Sequence, residues 1–248
     1  MTRWVQGSSN LAINSEPEGL AHSVDVVHGG SVFALGLAVD DQSAAMARAE
    51  VLGIERFEAA VGPDECEIPS LRRVGGSRRY FVAAATRSTM WADEFPHPIV
   101  TDGPRTDLLR VDHIARSMQN EEFLSRQLYY CALLEVTKTP QLEIADLMGI
   151  VYSQAVESCD HAVRFTLNGS LAGQSFTSRL VQNTFNAGVQ RVAFATDDIF
   201  TAAANAKAAG LPMLDIGPNY YADIEARFGL DPALLECMAA LNILYDRT

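Results

Sequence analysis

Two stretches of this chain share one pattern of apolar and polar positions. Residues 31–39 (SVFALGLAV) are an apolar run of strand length, followed by Asp40-Asp41, an Ala-rich helical pattern over 42–52, and Gly53. Residues 188–196 (GVQRVAFAT) do the same, followed by Asp197-Asp198, an Ala-rich helical pattern over 199–209, and Gly210. An aspartate before a helix caps its free N–H groups, and a glycine after it stops it. Asp41 and Asp198 are 157 positions apart (198 − 41), and the same offset sets Asp40, Ala45, Ala47, Ala49 and Gly53 on Asp197, Ala202, Ala204, Ala206 and Gly210. Self-similarity at a fixed spacing predicts an internal repeat of a strand–helix unit.

Between these units the pattern predicts further strands at 67–74 and 78–84, divided by a Gly75-Gly76 turn. Residues 110–115 read as a strand, 120–134 as an amphipathic helix, and 149–157 and 161–168 as strands. A helix is expected over 222–228, with Tyr220-Tyr221 anchoring a loop beneath it. Residues 86–109 carry Pro96, Pro98, Gly103 and Pro104 without periodicity, so they read as a linker. The expected organisation is therefore a first half over 1–85, a linker over 86–109, and a second half over 110–248. Under the repeat offset, a partner for the unit at Arg110 would begin before Met1. The sequence-based expectation is that the first half lacks an opening strand and helix and the second half a final strand.

Composition narrows the function classes. Hydrophobic residues make up 48% and charged residues 20%, an ordinary globular balance. The net charge of −12 disfavours binding to phosphate backbones, so no nucleic-acid partner is expected. No apolar stretch approaches the roughly 20 residues of a membrane span. Cys66, Cys131, Cys159 and Cys237 form no CxxC pair, which argues against a zinc knuckle. Free thiols and the absence of a leader pattern suggest a cytoplasmic protein. His22 and His28 sit before a Gly-Gly turn in the first half.

Several motifs resemble one family. VDHIARSM (111–118), GVQRVAFATDDI (188–199), LPMLDIGPNYYADIEARF (211–228) and ALNILYD (240–246) are similar to the 4-hydroxyphenylpyruvate dioxygenase family of the vicinal oxygen chelate superfamily. WVQGSSNLAIN (4–14), AHSVDVVHGGSV (21–32) and VGGSRRYFV (74–82) extend the likeness into the first half. The nearest resemblance is to the dioxygenase-like C-terminal domain of bacterial 3-dehydroshikimate dehydratases. It implies an α+β fold of paired βαβββ modules, glyoxalase-like and here incomplete at both ends.

The resemblance also implies a site. The family holds Fe(II) through two histidines and a glutamate, leaving metal positions open for a 2-oxo acid and O₂. His113 matches the first histidine. Arg191 stands at the second, and the glutamate would lie beyond Thr248. Arginine stays protonated and offers no lone pair to a cation. It either forks onto an anionic ligand or pairs with a nearby acid such as Asp112 or Glu157. His113 is either a remaining ligand for Fe(II) or another divalent metal, held weakly or not at all, or an inherited hydrogen-bonded histidine. Ser153, Asn168 and Gln190 match the polar positions that face the 2-oxo acid; Ser153 and Asn168 could instead serve strand ends and an Asn-Gly turn.

The expectation is a dioxygenase-like domain without turnover, acting as a scaffold or binding a small aromatic or 2-oxo acid, linked to dehydratase chemistry and aromatic catabolism. The alternatives are a working Fe(II)-dependent dioxygenase and a small-molecule binding module of the same fold. Unpaired sheet edges would suit a homo-oligomer or docking to another chain.

Overall fold

The computed structural model describes residues 1–58, 61–62, 65–74, 77–95, 106–146, 149–172, 175–183 and 188–247. Strand β1 (Thr2–Gln6) pairs with β2 (Ser9–Ile13), and helix α1 (Gly19–His28) follows. A βαβββ unit then runs through β3 (Ala34–Val39), α2 (Gln42–Val51), β4 (Arg56–Phe57), β5 (Ser70–Val74) and β6 (Ser77–Ala83). Its sheet has the order β3-β6-β5-β4, with β3 parallel to β6 and the other pairs antiparallel. After α3 (Arg87–Glu94), a second unit is built from β7 (Arg110–Gln119), α4 (Asn120–Leu133), β8 (Val136–Lys138), β9 (Leu142–Asp146), β10 (Gly149–Ser158) and β11 (Arg164–Ser170). Helices α5 (Phe176–Asn183), α6 (Ile199–Ala208), α7 (Pro218–Phe228) and α8 (Pro232–Ala240) complete the chain, with β12 (Gly188–Ala195) after α5. The second sheet has the order β12-β7-β11-β10-β8, and β9 pairs with β10.

The repeated strand–helix unit is present at both predicted places, as β3–α2 and β12–α6. In each, the second aspartate of the acidic pair caps the helix. Asp41 accepts from the Ala44 N–H at 2.8 Å, and Asp198 from those of Phe200 and Thr201 at 3.0 and 3.2 Å. The Thr201 hydroxyl and these N–H groups hold the Asp198 carboxyl below the usual carboxylate range. Its capping is therefore retained in mild acid and lost only as pH falls through that lowered value. Asp41→Ala is expected to cost about 1 kcal/mol of stability, measured by urea unfolding.

Three regions differ from the sequence-based reading. The residues before β3, where no element was expected, form β1, β2 and α1; short strands around Gly7 and a helix with few buried positions leave little apolar period to read. The helix expected over 222–228 begins at Pro218, so Tyr220 and Tyr221 lie inside α7 rather than in a loop. The Tyr220 hydroxyl donates to the Tyr245 carbonyl at 3.0 Å and accepts from the Tyr245 N–H at 2.7 Å. Part of the 86–109 segment is helical, as α3, with Met90 buried. Gly75 and Gly76 lie outside the described residues, as does most of that segment after Phe95.

Packing divides the chain into two compact units: one of Met1–Trp4, Leu11–Pro98 and Val111–Ala193, the other of Val5–Asn10, Ile99–Arg110 and Phe194–Thr248. In the first, α4 buries Phe123, Gln127, Tyr130 and Leu133, a spacing that places them along one helical face. Phe123 and Tyr130 pack with Met118, Val156, Phe165, Leu167 and Leu35, while Leu133 packs with Ala49, Leu71 and Phe81. Helix α4 thus contributes to cores that include residues of both sheets. In the second unit, α6, α7 and α8 enclose Ala203, Tyr221, Ile224, Leu235, Met238 and Ile243. All four cysteines are free. Among the described residues no helix is long and apolar enough to cross a membrane.

Candidate ligand-binding face

Successive residues of a strand point to opposite faces of its sheet, so the second sheet has two different surfaces. One carries Met118, Val156, Phe165 and Leu167 into the core against α4. The other carries a row of small polar side chains. Ser153 on β10 lies opposite Asn168 on β11, and Asn168 lies opposite Ser117 on β7. Gln190, on the neighbouring strand β12, joins the row: its amide oxygen accepts from the Ser117 hydroxyl at 2.8 Å and from the Asn168 amide at 3.2 Å. Ser117, Ser153 and Asn168 are buried and Gln190 is half-buried.

Of the residues selected from the sequence, this row brings together Ser153, Asn168 and Gln190. Asn168 and Gly169 lie within β11 and Ser153 within β10, so neither the turn nor the strand-end alternative applies. A Cβ at Gly169 would meet the Phe123 ring at 3.2 Å. That glycine therefore lets β11 approach α4 closely, rather than turning the chain. Ser117 was missed, although it sits four positions after His113 and strand alternation alone puts both on one face.

His113 is at the other end of β7. Its Nδ1 lies 2.8 Å from an Asp112 carboxylate oxygen. The same oxygen is 3.6 Å from Arg164 Nη1, and Arg164 Nε donates to Glu157 at 2.8 Å. The Arg164 hydrogen bond, with a smaller contribution from His161, holds the Glu157 carboxyl below its usual range. Arg164 is thus the cation between Asp112 and Glu157, the two acids within sequence-based reach of Arg191. Arg191 follows Gln190 on β12, so alternation turns it away from the row, and it is exposed.

These positions do not fit the family's Fe(II). The chemistry of the donor set decides this: Arg191 has no lone pair to give, and no three His, Cys, Asp or Glu side chains among the described residues could hold a metal ion together.

The architecture is that of a glyoxalase-like α+β protein, and its polar row lies on the sheet of a βαβββ unit. Residues 1–93 match the sequence profile of the family described as hydroxyphenylpyruvate dioxygenase, HPPD, N-terminal. Over 246 residues the chain is 36% identical to the 3-dehydroshikimate dehydratase of Pseudomonas putida, covering 98% of this chain and 38% of that protein. It is 25% identical over 243 residues to the 4-hydroxyphenylpyruvate dioxygenase of Pseudomonas aeruginosa, covering 97% of this chain and 68% of that one. A solved xylose isomerase-like TIM barrel/4-hydroxyphenylpyruvate dioxygenase fusion protein superposes with a TM-score of 0.78 at 34% identity, over 99% of this chain and 39% of that one. The chain is thus similar to 4-hydroxyphenylpyruvate dioxygenases and, more strongly in sequence, to 3-dehydroshikimate dehydratases, and it spans 38% of the length of the Pseudomonas putida relative.

Proposed function

We propose that this domain holds a small 2-oxo or aromatic acid on the row Ser117, Ser153, Asn168 and Gln190 without turning it over, alongside a 3-dehydroshikimate dehydratase activity. The observation that carries the reading is the bonded triad of Ser117, Asn168 and Gln190 beside a β12 position occupied by Arg191. The Ser117 and Asn168 bonds of the triad both end on the Gln190 amide oxygen. The Gln190 NH₂ group is then the natural donor to a ligand carboxylate or carbonyl. Neutral donors and acceptors of this kind orient an acid but do not supply the redox chemistry of a dioxygenase.

The test is calorimetric binding of 4-hydroxyphenylpyruvate to the full chain, with metal analysis and an oxygen electrode beside it. The expected result is saturable binding without O₂ uptake. Gln190→Ala should weaken binding roughly 10-fold or more, the ratio that matches a lost hydrogen bond to a charged group. An absence of binding in the unaltered chain would overturn the ligand assignment. One iron per chain with O₂ uptake would establish the second reading, an Fe(II) dioxygenase. That reading is favoured by the His113–Asp112 pair, since metal-bound histidines commonly give their other ring nitrogen to a carboxylate.

A further inference from the structure

The first sheet also has two faces. Phe81 on β6 packs into the core with Ala49 of α2, so alternation puts Arg78 and Tyr80 of the same strand on the opposite face. Ser70 on β5 lies opposite Tyr80, and Phe57 on β4 lies opposite Ser70, which sets these side chains on that same face. Arg78 stretches over β5. Its guanidinium carbon lies 3.4 Å from the centre of the Phe57 ring and 5.7 Å from that of Tyr80. The residue is 5% exposed.

The hydrogen bonding of this buried cation is incomplete. Nη1 donates to the Tyr80 hydroxyl at 2.8 Å. Nε is enclosed and has no acceptor. Among the described residues Nη2 makes no hydrogen bond, and no carboxylate pairs with the guanidinium. The exposed arginines of the neighbouring strands do have acids: Arg56 pairs with Glu67 at 3.1 Å and Arg72 with Glu55 at 3.0 Å. The Phe57 ring does not stand in for one. It lies against the flat face of the guanidinium and attracts its charge, whereas the Nε–H points outward in the plane. A guanidinium cannot shed its proton to escape burial, and a charge taken from water without an in-plane partner is strongly unfavourable.

We propose that this face of the first sheet is a binding site for a small organic carboxylate, held by the Nε–Nη2 edge of Arg78. Two parallel N–H groups on one edge match the two oxygens of a carboxylate. Tyr80 fixes one arm of the fork and Phe57 fixes its plane, so the guanidinium is oriented before the ligand arrives. The net charge of −12 disfavours a dianion such as phosphate, and the two rings suit a ligand with an apolar body. The face opens to solvent beside Tyr80. Gly36 on β3 lies opposite Tyr80 and is exposed, and among the described residues a Cβ there would meet only Val82, at 4.0 Å. This site shares no residue with the polar row of the second sheet, so neither reading depends on the other.

The test uses the full chain with isotope-labelled arginine and benzoate as the probe, at constant ionic strength. NMR contacts with the Phe57 ring identify the Arg78 Nε–H signal, and Arg78→Met should remove it. Benzoate should move that signal saturably, chloride should leave it in place, and phosphate should bind more weakly than benzoate. Arg78→Lys keeps the charge but lacks the fork. It should weaken benzoate binding roughly 10-fold or more, read on the Tyr80 ring signals. The proposal is overturned if benzoate leaves the Nε–H signal unmoved, if chloride moves it equally, if phosphate binds more tightly, or if Arg78→Lys binds benzoate as well as the unaltered chain. Should either variant fail to fold, the Nε–H signal of the unaltered chain still decides the matter.

Discussion

Phe165→Ala is expected to destabilise the chain by about 3–5 kcal/mol, the range for truncating a buried aromatic in a core that relaxes only partly. Phe165 is 1% exposed and lies in the core cluster with Met118, Tyr130, Val156 and Leu167. Its strand β11 is flanked by β7 and β10, so neither neighbour can slide into the space without breaking sheet hydrogen bonds. From above, the Tyr130 ring stacks on it at 4.6 Å. The measurement is urea unfolding, with a fall in midpoint at unchanged slope. Leu128→Ala is the comparison, since Leu128 on α4 is 70% exposed and should change stability by less than about 0.5 kcal/mol. A loss below about 1.5 kcal/mol for Phe165→Ala would mean that the site collapses freely and that β11 is not held as described.

The same strand shows what the sequence made legible and what it did not. The strand–helix repeat was readable because its signals are local: an apolar run, an acidic cap, a helical stretch and a stopping glycine. Asp41 and Asp198 do the capping that their positions announce. Strand β11 was readable as an element, but its Asn168-Gly169 pair looks like a turn when only neighbours in sequence are considered. What overrides that propensity is tertiary: Gly169 sits against the Phe123 ring, and Asn168 bonds Gln190, twenty-two positions away. Ser117 is hidden for a related reason: the apolar pattern reads as a strand only to residue 115, whereas β7 runs on to Gln119. Arg191 and Gln190 show the limit from the other side. The resemblance assigns both to one site, whereas strand alternation sends adjacent side chains to opposite faces. Arg79 and Arg116 carried no sequence signal at all. A buried arginine is rare enough that pattern reading places it on the surface by default.

Removing one member of the buried Arg79–Tyr130 pair tests how much it holds. Arg79→Met keeps the length and apolar stem of the side chain but withdraws the donor at 2.6 Å from Tyr130. The phenol oxygen, on a side chain only 1% exposed, then loses that hydrogen bond. Leaving a buried polar group without its hydrogen-bond partner costs about 1–3 kcal/mol. Tyr130→Phe makes the converse loss, removing the acceptor 2.6 Å from Arg79 Nη2. The double variant removes the donor and the acceptor together and should be less destabilised than the sum of the two single ones, by about 0.5–3 kcal/mol. Urea unfolding of the four proteins at one pH supplies the cycle. Strict additivity would show that Arg79 and Tyr130 act separately, as packing groups rather than as a pair. A coupling of the expected size would locate much of the cohesion between β6 and α4 in a polar contact.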